Sequence, residues 1–279
     1  MDAMRLAAAG VIAGFEGREV LRGLDLTVPA GSRVALLGAN GSGKTTLLRT
    51  LAGAHRPSAG QVLLDGEPVR FDRAGLREHR RRVQLVLQDP DDQLFSADVR
   101  QDVSFGPLNL GLSEEQAAEA TDAAIAAMGI EHLADRPTHQ LSYGERKRAV
   151  IAGALAMNVD VLLLDEPTAG LDPAGVEALL QPLVQINERG TTLVEINARG
   201  TTLVFSTHEV DNALAFATHA AVMTEGKLRQ GGLVELLSDA ELLAAARLRQ
   251  PILLQLSASL GWETPVTTIE QFKERWLTG

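Results

Sequence analysis

Along this chain the apolar positions switch between a spacing of two and a spacing of three to four, so strands and helices alternate. Leu24, Leu26 and Val28 stand between polar neighbours, which predicts a half-buried strand, and Pro29-Ala30-Gly31 then turns the chain. Residues 33–37 (RVALL) and 161–164 (VLLL) are unbroken apolar runs, the pattern of strands covered on both faces of a parallel sheet. Residues 61–64, 82–87 and the β-branched 201–206 are further strand candidates. The opening stretch MDAMRLAAAGVIAGF is read as a first strand and not as a cleaved leader, because charge and strand pattern follow at once. Helical patterns cover 45–52, 113–129 and 142–156; the second opens on a Ser113 cap and closes on Gly129. Residues 231–279 read as mostly helical. The alternation predicts an α/β domain.

One stretch breaks the pattern. Residues 186–194 (INERGTTLV) and 196–204 (INARGTTLV) match at eight of nine positions at an offset of ten. A single repeat of that period is too short for a solenoid and reads as a local duplication. Only the second copy runs directly into Ser206 and His208, so that copy is expected to form the sheet strand. The surplus, about 185–194, is expected to loop out or lengthen the preceding helix, since loop insertions cost little entropy.

Composition narrows the class. The 279 residues are 45% hydrophobic and 22% charged, an ordinary globular balance. Lys and Arg number 26 against 36 Asp and Glu, a net charge of −10 that argues against a general nucleic-acid binder. There is no cysteine, which excludes disulfides, thiolate metal sites and cysteine nucleophiles. No apolar run reaches the roughly 20 residues that cross a bilayer.

Two motifs carry chemistry. Gly38-Ala39-Asn40-Gly41-Ser42-Gly43-Lys44-Thr45 fits GxxxxGK[ST] between a buried strand and a helix. Its glycines let backbone N–H groups converge on a phosphate; Lys44 can bridge β- and γ-phosphate oxygens, and the Thr45 hydroxyl can ligate Mg²⁺. The run Val161-Leu162-Leu163-Leu164-Asp165-Glu166 brings two acids to the carboxyl edge of the sheet, where ligands bind in such folds. Asp165 suits Mg²⁺, and Glu166 suits a base for an attacking water.

Between these motifs stands Leu141-Ser142-Tyr143-Gly144-Glu145, which resembles the LSGGQ signature of ATP-binding-cassette ATPases, with Tyr143 and Glu145 in place of glycine and glutamine. Gln88 resembles that family's Q-loop glutamine, Ala169-Gly170-Leu171-Asp172 its D-loop, and His208 its switch histidine. Phe15 stands where the family places an aromatic residue against adenine. The resemblance implies a P-loop nucleotide-binding domain over residues 1–230, with a RecA-like core, an antiparallel β subdomain and an inserted helical subdomain at about 89–150; residues 231–279 would form a helical extension. It implies ATP and Mg²⁺ as cofactors. The nucleotide would be held by Phe15, Gly38, Asn40, Gly41, Ser42, Gly43, Lys44, Thr45 and Thr46, and by Ser142, Gly144, Glu145 and Asp172 across a homodimer interface. Mg²⁺ would be held by Thr45, Gln88 and Asp165, and hydrolysis carried by Glu166, His208, Gln88 and Lys44.

A narrower resemblance rests on Gln88-Asp89-Pro90-Asp91-Asp92-Gln93-Leu94-Phe95 and Asp102-Val103-Ser104-Phe105-Gly106-Pro107, which are similar to the ATPases of energy-coupling-factor importers. It is greatest toward the ATP-binding subunits of cobalt importers, with nickel and vitamin importers similar. It implies a motor at the cytoplasmic face of the bacterial membrane, with membrane-embedded coupling and substrate-binding subunits docking near Gln88–Phe95 and no nucleic-acid partner. The different-class alternative is a soluble cassette ATPase acting on DNA or ribosomes. The acids of the first stretch are either a solvated turn or a site for Mg²⁺ or Ca²⁺. The basic run from Arg70 to Arg82 is either a solvated helix face or a contact with anionic lipid or membrane subunits. The leucines of the C-terminal segment bury either on the chain's own core or on a partner. Apart from His208, the histidines (His55, His79, His132, His139 and His219) make no recognisable metal set.

Overall fold

The computed structural model describes residues 4–189 and 200–278. Its strands form two sheets. The smaller is antiparallel, in the order β2 (Arg18–Pro29), β1 (Met4–Phe15), β4 (Ala59–Leu64), β5 (Glu67–Pro68). The larger runs β10 (Lys227–Gly232), β9 (His219–Thr224), β3 (Arg33–Leu37), β8 (Thr202–Thr207), β7 (Val161–Leu164), β6 (Val83–Val86). All neighbours in it are parallel except the edge strand β10.

The unbroken apolar runs are explained by what lies on each face. In β3, Ala35 and Leu37 face one core, and Val34 and Leu36 the other. In β7 the same split divides Leu162 and Leu164 from Val161 and Leu163. A strand with two covered faces has no polar side to alternate. The second core lies between the sheets and is filled by helix α1 (Lys44–Leu51), whose Leu47, Leu48 and Leu51 are fully buried. That helix starts at the end of β3, so the phosphate motif sits where the sheet's carboxyl edge meets the core.

The other face of the large sheet carries most of the remaining helices. Helix α2 (Arg73–Arg82) leads into β6, and its N-terminus is capped by Asp72, which accepts from the Gly75 N–H at 2.8 Å. Helices α3 (Val99–Leu110), α4 (Glu114–Ala127) and α5 (Tyr143–Ala156) pack on one another. Ser113 caps α4 as its sequence predicts, closing a capping box with Gln116. A side chain at Gly106 would come 2.7 Å from Met157, so the glycine lets α3 approach the end of α5. Asp102 Oδ1 accepts the N–H groups of Phe95 (3.0 Å) and Ser96 (2.9 Å), which ties the two acidic motifs into one surface.

Helix α6 (Pro173–Arg189) precedes β8, and α7 (Val210–Phe216) follows it. The repeat resolves as expected for its second copy: β8 pairs with β3 and β7 in the middle of the sheet. Residues 186–189 of the first copy belong to α6, and residues 190–194 lie outside the described residues. Asn187 meets the second copy directly. Its side chain donates to Thr201 O at 2.8 Å, and an added Cβ on Gly200 would stand 2.2 Å from Asn187 O.

After β10 come α8 (Leu233–Ser238), α9 (Ala240–Ala245), α10 (Ile252–Ser259) and α11 (Ile269–Thr278). Leu236, Leu237, Leu243 and Leu254 are buried in the chain's own core, and Ile252 is exposed. The Ala39 N–H donates to Ala246 O at 3.2 Å, so the extension touches the loop before α1. Among the described residues no helix is long and apolar enough to cross a membrane, and no group of acids and histidines forms a metal cluster.

Candidate functional site

The loop from Gly38 to Gly43 is shaped by close contacts that only glycine permits. A Cβ on Gly38 would come 2.7 Å from Ser42 Oγ and 2.9 Å from Met223 O. Gly43 has φ 109°, and its Cβ would come 3.1 Å from Val20 and Met223 side chains. The first turn of α1 has no side-chain cap, which leaves its N–H groups for an anion. Ser42 Oγ is buried with no hydrogen-bond partner in the protein.

Lys44 is 5% exposed and donates to Gly38 O at 2.7 Å and Ala39 O at 3.2 Å. Its Nζ also lies 3.2 Å from Glu166 Oε1, an ionic contact without hydrogen-bond alignment. The other carboxylate oxygen, Oε2, accepts from His208 Nδ1 at 3.0 Å. A carboxylate only accepts, so the proton of the imidazole sits on Nδ1 and Nε2 is left for other work. Glu166 itself has φ 46°, a left-handed conformation that costs a non-glycine residue about 1–3 kcal/mol. Strained acids of this kind are held by their surroundings. The Glu166 N–H donates to Ser206 Oγ at 2.9 Å, and Ser206 Oγ donates to Asp165 Oδ1 at 2.6 Å.

Phe15, Asn40, Gly41, Gly43, Lys44, Thr45, Thr46, Gln88 and Glu166 line one cavity of about 750 Å³. Phe15, 47% exposed, forms its outer wall, with its ring 4.6 Å from the His55 ring. The hydroxyl of Thr45 and the amide of Gln88 are both exposed. Asp165 does not line this cavity; its carboxylate is buried and accepts from Ser206 Oγ, and all three side chains are hard oxygen donors of the kind Mg²⁺ takes.

The signature residues do not line this cavity. Ser142 and Glu145 close a capping box on α5: Ser142 N–H donates to Glu145 Oε2 at 2.7 Å, and Ser142 Oγ accepts from Glu145 N–H at 3.3 Å. The Ser142 amide holds the Glu145 carboxyl below the usual carboxylate range. Gly144 lies in the first turn of that helix. Asp172 is exposed and accepts from the Gly175 N–H at 2.7 Å, capping the start of α6. One chain therefore carries a phosphate loop and, apart from it, a separate capped helix N-terminus at Ser142.

Three residues at the site escape the motif reading. Ser206 is a hydroxyl one residue before the end of the buried strand β8, and His55 lies in a loop with no pattern of its own. Lys147 is a cation on the apolar face of α5, in line with Val150, Ile151 and Ala154, and that spacing is a signal in the sequence. It is buried and donates to Glu166 O at 3.2 Å and Pro167 O at 2.9 Å. Burial pushes its pKa down to about 8, with Glu166 and Asp89 pulling it back up.

The model of the ABC transporter family matches residues 21–169, which span the phosphate loop, the signature and the acids after β7. The chain belongs to that family. It is an ATPase cassette, and its relatives agree over nearly its whole length. The cobalt import ATP-binding protein CbiO of Rhodobacter capsulatus is 49% identical over 262 residues, 93% of this chain and 90% of that protein. The energy-coupling factor transporter ATP-binding protein EcfA of Methanocaldococcus jannaschii is 43% identical over 237 residues, 85% of this chain and 81% of that one. Among solved structures, cbiO1 from Clostridium perfringens, described as part of the complex cbiONQ, superposes with a TM-score of 0.78 at 38% identity. It covers 92% of this cassette and 100% of that chain. The cassette MJ0796, solved as a dimer bound to ADP and Pi, gives a TM-score of 0.70 at 27% identity, with 82% of this chain and 98% of that one covered.

Proposed function

We propose that this cassette is the ATP-hydrolysing motor of an energy-coupling-factor importer, that it works as a homodimer on the cytoplasmic face of a bacterial membrane, and that cobalt is the cargo. The observation that carries the hydrolytic part is Glu166, whose two carboxylate oxygens face Lys44 and His208 at the mouth of a phosphate loop.

In this reading ATP enters as substrate, with its base on Phe15 and its phosphates in the loop from Gly38 to Thr46. Lys44 exchanges the Gly38 and Ala39 carbonyls for phosphate oxygens, which frees the Glu166 carboxylate to take a proton from the attacking water. His208 keeps its Nδ1–H on Glu166, fixing the carboxylate's orientation, and with a second proton on Nε2 donates from that nitrogen to a γ-phosphate oxygen. Gln88 orients the water. Thr45, Gln88 and Asp165 would hold Mg²⁺, which neutralises charge on the phosphate oxygens. Ser142, Gly144, Glu145 and Asp172 lie off the cavity, so they serve the nucleotide of a second copy, whose phosphate meets the N-terminal amides of α5.

The importer reading is supported by the names of the relatives and by a groove of about 810 Å³ beside the Q-loop. Its walls are α2, α3 and α5, and Phe95 and Phe105 stand in it edge to face at 4.6 Å, 64% and 50% exposed. Two exposed phenylalanines beside a basic helix suit a helix of a membrane subunit.

The test is Glu166→Gln. The variant is expected to bind ATP, to lose turnover by at least about 100-fold, and to accumulate as an ATP-bound dimer on gel filtration. Turnover at the wild-type rate removes Glu166 as the base. Uptake of labelled Co²⁺, Ni²⁺ and vitamins in cells that carry the neighbouring membrane subunits decides the cargo. Co-purification with nucleic acid in place of membrane subunits overturns the importer reading.

A further inference from the structure

Lys147 sits four residues after Tyr143 on α5, and the two side chains act together. Its ammonium lies 5.2 Å from the centre of the Tyr143 ring and donates to the carbonyls of Glu166 and Pro167. Among the described residues it pairs with no carboxylate at ion-pair distance, although it is only 4% exposed. A buried cation is costly unless its donors are satisfied, and here two backbone carbonyls and an aromatic face satisfy it. Those carbonyls belong to the turn in which Glu166 adopts its left-handed backbone. The Tyr143 ring also packs against Gly170, where a Cβ would come within 3.1 Å of it, and its hydroxyl lies 3.5 Å from Gln88 O. Tyr143 thus replaces a signature glycine with a ring that touches the D-loop and reaches the Q-loop.

We propose that Lys147 is a positioning residue for ATP hydrolysis: it ties the signature helix, which serves the nucleotide of a second copy, to the Glu166 turn, which serves the chain's own nucleotide. The inference rests on the dimeric ATPase reading above. With both carbonyls held, Glu166 cannot relax to an ordinary backbone conformation, and its carboxylate stays between Lys44 and His208. A shift of α5 on engaging the second nucleotide is carried to Glu166 through one side chain. The link is short, and it is rigid because Tyr143 fills the space beside the ammonium.

The experiment is steady-state ATP hydrolysis and equilibrium ATP binding by the full-length protein, with wild type, Lys147→Met, Lys147→Gln and Glu166→Gln in parallel. Lys147→Met keeps the bulk and removes the donors; its kcat is expected to fall about tenfold or more while KM and ATP affinity stay within about twofold, since a misplaced base costs rate and not binding. Lys147→Gln restores a donor and is expected to recover most of the loss. Equal loss in Met and Gln variants, or a rise in KM with kcat unchanged, overturns the proposal.

The wild-type pH profile is an independent arm that needs no variant to fold. The groups around the ammonium are Glu166 and Asp89, Arg146 on the same ring, and Lys44 and His208 beyond the Glu166 carboxylate. A neutral donor is about half as strong as a charged one, so kcat is expected to decline about two- to fivefold as pH rises through about 8. The decline should be absent in Lys147→Gln. A flat profile overturns the proposal, as does an identical decline in Lys147→Gln. If wild type is inactive, or Glu166→Gln is as fast as wild type, the fault lies in the hydrolytic reading and not in Lys147.

Discussion

Ser206 Oγ donates to Asp165 Oδ1 over 2.6 Å, across 41 residues of sequence, at the carboxyl edge of two adjacent strands. The same hydroxyl accepts the Glu166 amide, so one oxygen orients both acids. Ser206→Ala is expected to destabilise the fold by about 1–3 kcal/mol, because a buried amide and a carboxylate each lose a partner. On the proposed role of Asp165 as a Mg²⁺ ligand, it should also raise the Mg²⁺ concentration needed for half-maximal hydrolysis by about tenfold, as the loss of a ligand's own hydrogen-bond partner does. Urea unfolding and a Mg²⁺ titration of the rate measure the two effects.

Phe15 is a ring on the rim of the cavity proposed for the nucleotide, and His55 supports it from the side. Stacking of a base on an aromatic ring is worth about 1–3 kcal/mol. Phe15→Ala should therefore raise KM for ATP about tenfold with kcat nearly unchanged. His55→Ala should give a smaller rise of the same kind. An effect of Phe15→Ala on kcat alone would remove it from the binding wall.

Lys147 makes a pH-dependent contribution to stability whose sign follows from its depressed pKa. The folded value of about 8 lies below the unfolded value of 10.5, so the unfolded chain binds more protons between them. Stability relative to a variant without the amine therefore rises with pH across that window. From pH 7 to pH 9.5 wild type should gain on Lys147→Met by at most about 2 kcal/mol. Denaturant midpoints at the two pH values read the difference, and a gain in the opposite direction means that the ammonium is stabilised, not penalised, by its burial.

Phe95 and Phe105 support each other but bury little. Phe95→Ser with Phe105→Ser should leave ATP hydrolysis by the isolated protein within about twofold and stability within about 1 kcal/mol, as for exposed positions generally. Recovery of membrane subunits with the tagged protein should drop at least tenfold. Unchanged recovery would move the docking surface elsewhere.

Leu243 is 1% exposed in the core shared by the extension and the large sheet. Leu243→Ala should cost about 2–5 kcal/mol, the range for a leucine cavity. Because the packing lies within one chain, this loss should not depend on protein concentration between dilute and concentrated samples. A concentration-dependent loss would show the extension packing on a partner instead.

The parts of this molecule written plainly in the sequence are those whose physics is local. The phosphate loop is a run of glycines whose contacts with Ser42 and Met223 leave no room for a side chain, and Ser113 and Ser142 each cap the helix that follows them. The buried strands 33–37 and 161–164 have no polar face because both faces are covered. What the pattern does not reveal depends on distant pairing. The 83–86 strand is legible as a strand, but its edge position is set by pairing with β7; α3 continues past Pro107 where a proline suggests a stop, and Ser206 acquires its role only when β8 lies against β7. Lys147 is intermediate: its place on an apolar face is visible in the sequence, but its acceptors are carbonyls of a turn nearly twenty residues on.

The meeting of Asn187 with Gly200 and Thr201 gives the cassette a natural port for a guest domain. The chain leaves α6 and returns to β8 with those residues in contact, at the end of the strand opposite Ser206 and His208. A folded passenger whose own termini lie close together, such as a fluorescent reporter spliced between 189 and 200, would bridge that junction without prising β8 from its neighbours. The cassette could then be followed in living cells with its phosphate-loop edge and the groove around Phe95 and Phe105 both left untouched.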